Sequence, residues 1–220
     1  AVAANQFAAI GGEGSVTITG GVINAAGKNN APGIGSNGDN RITGGEITVS
    51  AEGLGAAIGG YAGVDCGNIT IQGNVIKSVI SSGAGACIGG ASNRSAGSIT
   101  ISNAKLPPLN GTSLIGWIRG NTAGSLTIRN CYIESTDTAA GSGIQVSDNG
   151  NIRIENSEVK LPEKRDIRAG DGGSIVIRDS TIHSNGIYML GNLNEAKNLK
   201  RLEITGSTVV TAGNVIGAMG

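Results

Sequence analysis

The sequence predicts an all-β chain wound as a right-handed parallel β-helix, a solenoid of about eight three-strand coils with ~27 residues per coil. Three observations carry this reading. An "ITI"-like triplet recurs along the chain, a residue tolerant of positive φ follows each triplet at a fixed offset, and an Ile, followed by Gly in most coils, marks a third position in the repeat.

The triplet defines the first strand. Its last apolar residue stands at Ile18, Ile42, Ile71, Ile101, Ile128, Ile154, Ile177 and Ile204. Two residues earlier come Val16, Asn40, Ile69, Ile99, Leu126, Ile152, Ile175 and Leu202, apolar in every case but Asn40. Apolar residues two apart point to the same side of a strand, so both sets should line the interior. A second strand follows on Ile23, Ile47, Ile76, Leu106, Ile133, Val159, Ile182 and Val209.

Between the first two strands, two residues after each anchor, lie Gly20, Gly44, Gly73, Asn103, Asn130, Asn156, Asp179 and Gly206. These residue types tolerate left-handed backbone, so one such residue bends every coil at the same corner. The third strand is anchored on Ile10, Ile34, Ile58, Ile88 and Ile115, then on Ile144, Ile167, Ile187 and Ile216. Stacked at strand spacing, the coils form a rod about 40 Å long. A β-propeller needs blades of ~40 or more residues, so these repeats are too short for one. The longest interruption, "GNLNEAKNLKR" ending at Arg201, is expected to leave the stack as an exposed loop.

Composition narrows the function. Sixteen basic and sixteen acidic side chains leave no net charge, so the electrostatic footprint of a nucleic-acid or anionic-membrane binder is missing. No apolar run approaches the ~18 residues of a membrane span. Aromatic residues are 2% of the chain, so the core must be aliphatic. Cys66, Cys87 and Cys131 are odd in number and lack CxxC spacing, which reads as three buried small hydrophobes and neither a disulfide framework nor a zinc site. The chain is read as one β-helix domain, residues 1–220, and its ends, "FAAIGG" and "NVIGAMG", break mid-pattern, so we expect either a segment of a longer protein or end-capping by atypical terminal residues.

The units "GSVTITGGVINAAG", "GAAIGG" and "GAGACIGG…AGSITIS" resemble Gly-rich β-helix repeats of large secreted and cell-surface proteins of gut and anaerobic bacteria, some described as carbohydrate-binding. The Asn103, Asn130, Asn156 column resembles the asparagine ladders of pectin-degrading β-helix enzymes. The resemblance implies a bacterial exported protein. The paired "DD", "GHG" and "RIK" motifs of polygalacturonase-like hydrolases are absent, and the one histidine, His183, has no acidic or cysteine partner in register.

Candidate site residues follow from outward positions that change character along the stack. After each third-strand Ile stand Gly11, Gly35, Gly59, Gly89 and Gly116, then Gln145, Arg168 and Tyr188, and finally Gly217. In this register the face is bare backbone in most coils and grows polar side chains in coils five to seven. Arg119, Asp148 and Asp171 stand four residues after successive third-strand isoleucines. That register sets Asp148 and Asp171 about 5 Å apart, close to the carboxylate separation of a retaining glycosidase and also suited to Ca²⁺. A surface ion ladder is the plainer reading of the same residues. Trp117 is a sugar-stacking candidate that alternation turns inward or to a corner. A threonine column, Thr70, Thr100 and Thr127, faces outward between the isoleucines and is interrupted by Arg41, Arg153 and Glu203.

Three functions are weighed on this basis. The first is a non-catalytic surface module binding a polysaccharide or surface glycan through Arg119, Gln145, Arg168, Tyr188 and Trp117, with no cofactor. The second is a rigid spacer. The third is a polysaccharide hydrolase or lyase using Asp148 and Asp171 as acid and base with Arg168 beside them; the short loops argue against it, because they wall no cleft.

Overall fold

A computed structural model of the chain describes residues 1–2, 7–116, 124–138, 141–190, 201–213 and 216–219. Its described elements are all strands, stacked in about seven turns of about 26 residues. The first face is built from the opening residues of β2 (Val16–Gly27) and β4 (Asn40–Ala51), then β6 (Ile69–Gln72), β8 (Ile99–Ser102), β10 (Ser125–Arg129), β13 (Asn151–Glu155), β16 (Ser174–Arg178) and β19 (Arg201–Thr205). Its strands are parallel, and the register pairs Ile18 with Ile42, then Ile71, Ile101, Ile128, Ile154, Ile177 and Ile204 in turn. All seven predicted steps are made.

The third face repeats this. It comprises β1 (Ile10–Gly12), β3 (Ile34–Ser36), β5 (Ile58–Gly59), the end of β7 (Ile76–Gly89), β9 (Asn110–Gly116), β12 (Ser142–Val146), β15 (Ile167–Ala169), β18 (Ile187–Leu190) and β21 (Ile216–Met219). Its isoleucines pair in one unbroken column from Ile10 to Ile216. The second face holds the remainder of β2, β4 and β7, followed by a separate four-stranded sheet of β11 (Tyr132–Glu134), β14 (Glu158–Lys160), β17 (Thr181–Ser184) and β20 (Thr208–Thr211). The three sets of inward aliphatic side chains meet in one core, where Ile42, Ile71, Ile101, Ile128, Ile154 and Ile177 are fully buried. Asn40, the one polar residue in the inward set, is buried with its side-chain oxygen accepting from the Ser36 hydroxyl and its Nδ2 donating to the Gly38 carbonyl.

The corner after the first face follows the predicted rule from coil three onward, where Gly73, Asn103, Asn130, Asn156, Asp179 and Gly206 have φ between +46° and +82°. Asn130 Nδ2 donates to Asn103 Oδ1 at 2.9 Å, one rung of the expected ladder. In the first two coils the positive φ moves one residue on, to Gly21 and Gly45 rather than Gly20 and Gly44. With two glycines in succession the bend can slip by a residue, and β2 and β4 run through the corner as twelve-residue strands with register shifts between Ile18 and Val22.

Just past this corner lies a rank that the periodicity does not announce. The Ser157, Ser180 and Ser207 hydroxyls each donate to the carbonyl two residues back in their own coil, and each accepts the backbone N–H of the preceding coil at 3.1 Å. Cys131 heads the rank, its thiol donating to the Arg129 carbonyl. Burial is the main reason that all three thiols titrate high, Cys66 pushed up to about 12 and Cys87 to about 11. They are the buried small hydrophobes expected from sequence.

Candidate functional site

The glycine column of the third face has a steric cause. Gly11, Gly59, Gly89 and Gly116 have φ between +114° and +145°, a region closed to side-chain-bearing residues. A Cβ on Gly59, Gly89 or Gly116 would lie 1.7–1.9 Å from the carbonyl oxygen of the residue one coil on. The coils therefore approach too closely for any side chain. Gly35, Gly59, Gly89 and Gly116 are buried, so this stretch is a packed seam, where the sequence suggested an open backbone shelf.

At Gln145 the seam ends. Gln145, Arg168 and Tyr188 follow Gly116 in register on successive coils, as expected. Gln145 itself is only 2% exposed, which corrects its placement as an outward ligand residue. Its Oε1 accepts from Arg168 Nε at 2.8 Å and Nη2 at 2.6 Å, and Arg168 Nη2 also donates to Ser142 Oγ at 2.8 Å. Gln145 thus acts as the support that fixes the guanidinium plane. Tyr188 donates its hydroxyl to Asp166 Oδ2 at 2.7 Å, and Asn185 Nδ2 donates to the other oxygen of the same carboxylate at 2.9 Å. Burial, then the Asp166 carboxylate, hold the Tyr188 phenol above its ordinary pKa, with Arg168 pulling the other way. Asp166 and Asn185 are members of this cluster that the sequence reading did not select; each lies off the third-strand register, in the approach to its strand.

The two proposed acid–base carboxylates do not join it. Asp148 and Asp171 lie in the turns between the third and first faces, and Asp148 Oδ1 accepts the backbone N–H of Asp171 at 2.9 Å. Asp39, Asp65, Asn30, Asn68 and Asn74 carry out the same stitching in earlier coils, each accepting a backbone N–H from the next coil. Asp148 fits that structural series. Among the described residues no group of three or more His, Cys, Asp or Glu side chains is placed to share a metal ion. Arg119 and Trp117 lie outside the described residues, as does the expected loop at 191–200.

A residue that sequence reasoning missed lies behind this face. Arg165 is fully buried, with Nη1 donating to the carbonyls of Thr112 at 2.8 Å and Ser142 at 3.2 Å, and Nη2 to the Gly111 carbonyl at 2.7 Å and Asp137 Oδ2 at 3.0 Å. One guanidinium thereby ties three successive coils beneath the point where Gln145 replaces glycine.

These features define a structural class: a β-solenoid whose polar cluster is mounted on a close-packed backbone seam. The chain belongs to the right-handed β-helix family, whose model matches residues 62–217. No curated protein and no solved structure matches the chain. The fold fits a surface or structural module, and no helix among the described residues is long and apolar enough to cross a membrane.

Proposed function

We propose that this chain is a non-catalytic, exported surface module that binds a glycan on the third face through Arg168 and Tyr188. The observation that carries the reading is the change at Gln145. A column that sterics restricts to glycine gives way to a half-buried, mutually hydrogen-bonded set of guanidinium, amide, phenol and carboxylate groups spanning three coils. Preorganised planar polar groups of this kind match the paired hydroxyls of a sugar, because their orientation is fixed before the ligand arrives. The exported, bacterial setting belongs to the same proposal and is supported by the resemblance of the Gly-rich repeats.

The test is a glycan array with the wild type and Arg168→Ala. Binding to one or more glycans that the substitution abolishes is the expected result, and absence of binding to every glycan removes the proposal. A rigid spacer is the second reading, favoured by the side-chain hydrogen bonds that stitch each corner to the next coil. A hydrolase using Asp148 and Asp171 ranks third, since the Asp148 carboxylate is engaged by backbone.

A further inference from the structure

The outward side of the first face changes character half-way along the rod. In β6 and β8 it carries only neutral polar groups, Thr70, Gln72, Thr100 and Ser102. From β10 to β19 it carries four arginines and two glutamates. The register places Arg129, Glu155, Arg178 and Thr205 in one column, Thr127, Arg153, Val176 and Glu203 in the next, and Ser125, Asn151, Ser174 and Arg201 in the third.

The two glutamates lie low and the four arginines stand above them. The Glu155 and Glu203 side chains are 12% and 17% exposed, whereas those of Arg129, Arg153, Arg178 and Arg201 are 38–60% exposed. Glu155 accepts from Arg129 Nε at 2.9 Å and Nη2 at 2.7 Å, and pairs with Arg153 through its other oxygen. Glu203 accepts from Arg178 Nε at 2.8 Å and pairs with Arg201. Each carboxylate is shared by two guanidinium groups, which it anchors while leaving N–H donors on each directed elsewhere. A ladder that served only to neutralise itself would match arginine to glutamate one for one. This one has a surplus of two positive charges in a chain whose total charge is zero.

We propose that this arginine grid binds a linear acidic glycan laid along the solenoid axis, one in which charged and neutral sugars alternate. Three observations choose that partner. Arg129 and Arg178 share a column two coils apart, about 9.6 Å at strand spacing, with Glu155 between them. Within that column the guanidinium groups repeat at a distance comparable to a disaccharide, while Arg153 and Arg201 stand on the intervening and following coils in the neighbouring columns. Acids flank the grid at both corners, Asp148 and Asp171 on one side and Asp179 on the other, so the positive strip is narrow and suits a single chain better than a duplex. The neutral hydroxyl and amide groups of β6 and β8 extend the same flat surface, offering partners to sugar hydroxyls and no aromatic platform for nucleobases. Guanidinium groups match both carboxylate and sulfate geometry.

The proposal shares with the preceding section the class of ligand but not the site, and the variants separate the two. Binding of hyaluronan, which is carboxylated only, and of chondroitin sulfate is measured at two salt concentrations, with neutral β-glucan and a single-stranded oligonucleotide as controls. The wild type is expected to bind at least one acidic chain, more weakly as salt rises. Arg129→Ala/Arg178→Ala should lose about tenfold or more in affinity, and Lys77→Ala, which removes an exposed cation of the second face, should leave acidic-chain binding unchanged. Preference between the two acidic chains tells carboxylate from sulfate recognition. Arg129→Lys/Arg178→Lys keeps charge without the forked geometry, so it should retain the salt dependence at reduced affinity, and it serves if the alanine pair does not fold. Failure to bind either acidic chain overturns the proposal, as does wild-type affinity in a folded double variant, an equal loss in Lys77→Ala, or oligonucleotide binding of equal strength lost in the same double variant.

Discussion

At the scale of single residues, Arg165 is the costliest side chain to remove. Arg165→Ala strips donors from the carbonyls of Gly111, Thr112 and Ser142, leaves Asp137 without its buried cation and opens a void, for which a loss of about 3–5 kcal/mol in chemical denaturation is expected. Asp137→Ala should cost less, because three carbonyls still hold the guanidinium; equal losses would show that the ion pair outweighs the carbonyl clamp. Tyr188 supplies a second test. Its raised pKa means that the fold favours the neutral phenol, so its contribution is complete below the unfolded value of about 10 and is lost as pH rises through the folded value. A difference titration of phenol absorbance should place Tyr188 above an ordinary tyrosine, and Asp166→Asn should bring it down. The sequence did not single out Arg165, and it placed Gln145 only in part. Arg165 sits in "PEKRD", a stretch that looks like an exposed charged turn, and its partners come from up to 54 residues away. Gln145 had the right register and the wrong exposure, because burial on the outer side depends on neighbouring turns that periodicity does not describe.

At the scale of elements, the strands and their order were legible because each face repeats two physical constraints, apolar alternation and a corner that needs left-handed backbone. Both leave marks on residue type at fixed spacing, and every register from Ile18 to Ile204 follows from them. The seam of third-strand glycines was visible as a pattern, yet its cause was not, since the clash that excludes a Cβ lies between coils. Gly89→Ala tests it. With φ at +145° and the Gly116 carbonyl oxygen 1.7 Å from the new Cβ, the backbone must move, and a loss of more than about 1 kcal/mol is expected in urea denaturation, where an unstrained Gly→Ala replacement would stabilise by about 0.4–1 kcal/mol. A thermal midpoint unchanged from wild type would show that the seam is loose. The serine rank makes the opposite prediction for Cys131→Ser. A hydroxyl there reproduces the bond to the Arg129 carbonyl already made by Ser157 and Ser180 to theirs, so stability should stay within about 1 kcal/mol of wild type, whereas Ser157→Ala strands the Cys131 N–H and costs about 1–3 kcal/mol.

At the scale of the whole molecule, a solenoid in which the coils pack mainly on their immediate neighbours, with Arg165 reaching one coil further, has no single centre of stability. Its free energy is close to a sum of coil and interface contributions, so protection against local opening should follow how completely each coil is covered. The isoleucine columns allow that to be stated coil by coil. In the first coil Ile10, Val16 and Ile23 are only partly buried and Val22 is 75% exposed, while their partners in the next coil, Ile34 and Ile47, are fully buried. From there to Ile177 the column is closed on both sides. Hydrogen exchange read by mass spectrometry should therefore show fast exchange in β1 and β2, rising protection through β4, and a plateau from β6 to β16. Ile101→Ala, in the middle of the plateau, should cost about 2–5 kcal/mol and accelerate exchange in β6, β8 and β10, which carry its stacked neighbours Ile71 and Ile128, while leaving β16 at its wild-type rate. A uniform acceleration along the whole chain would instead mean that the coils open as one cooperative unit. The polar cluster at Arg168 and the arginine grid would then rest on a scaffold whose stability is shared globally, not built from one coil to the next.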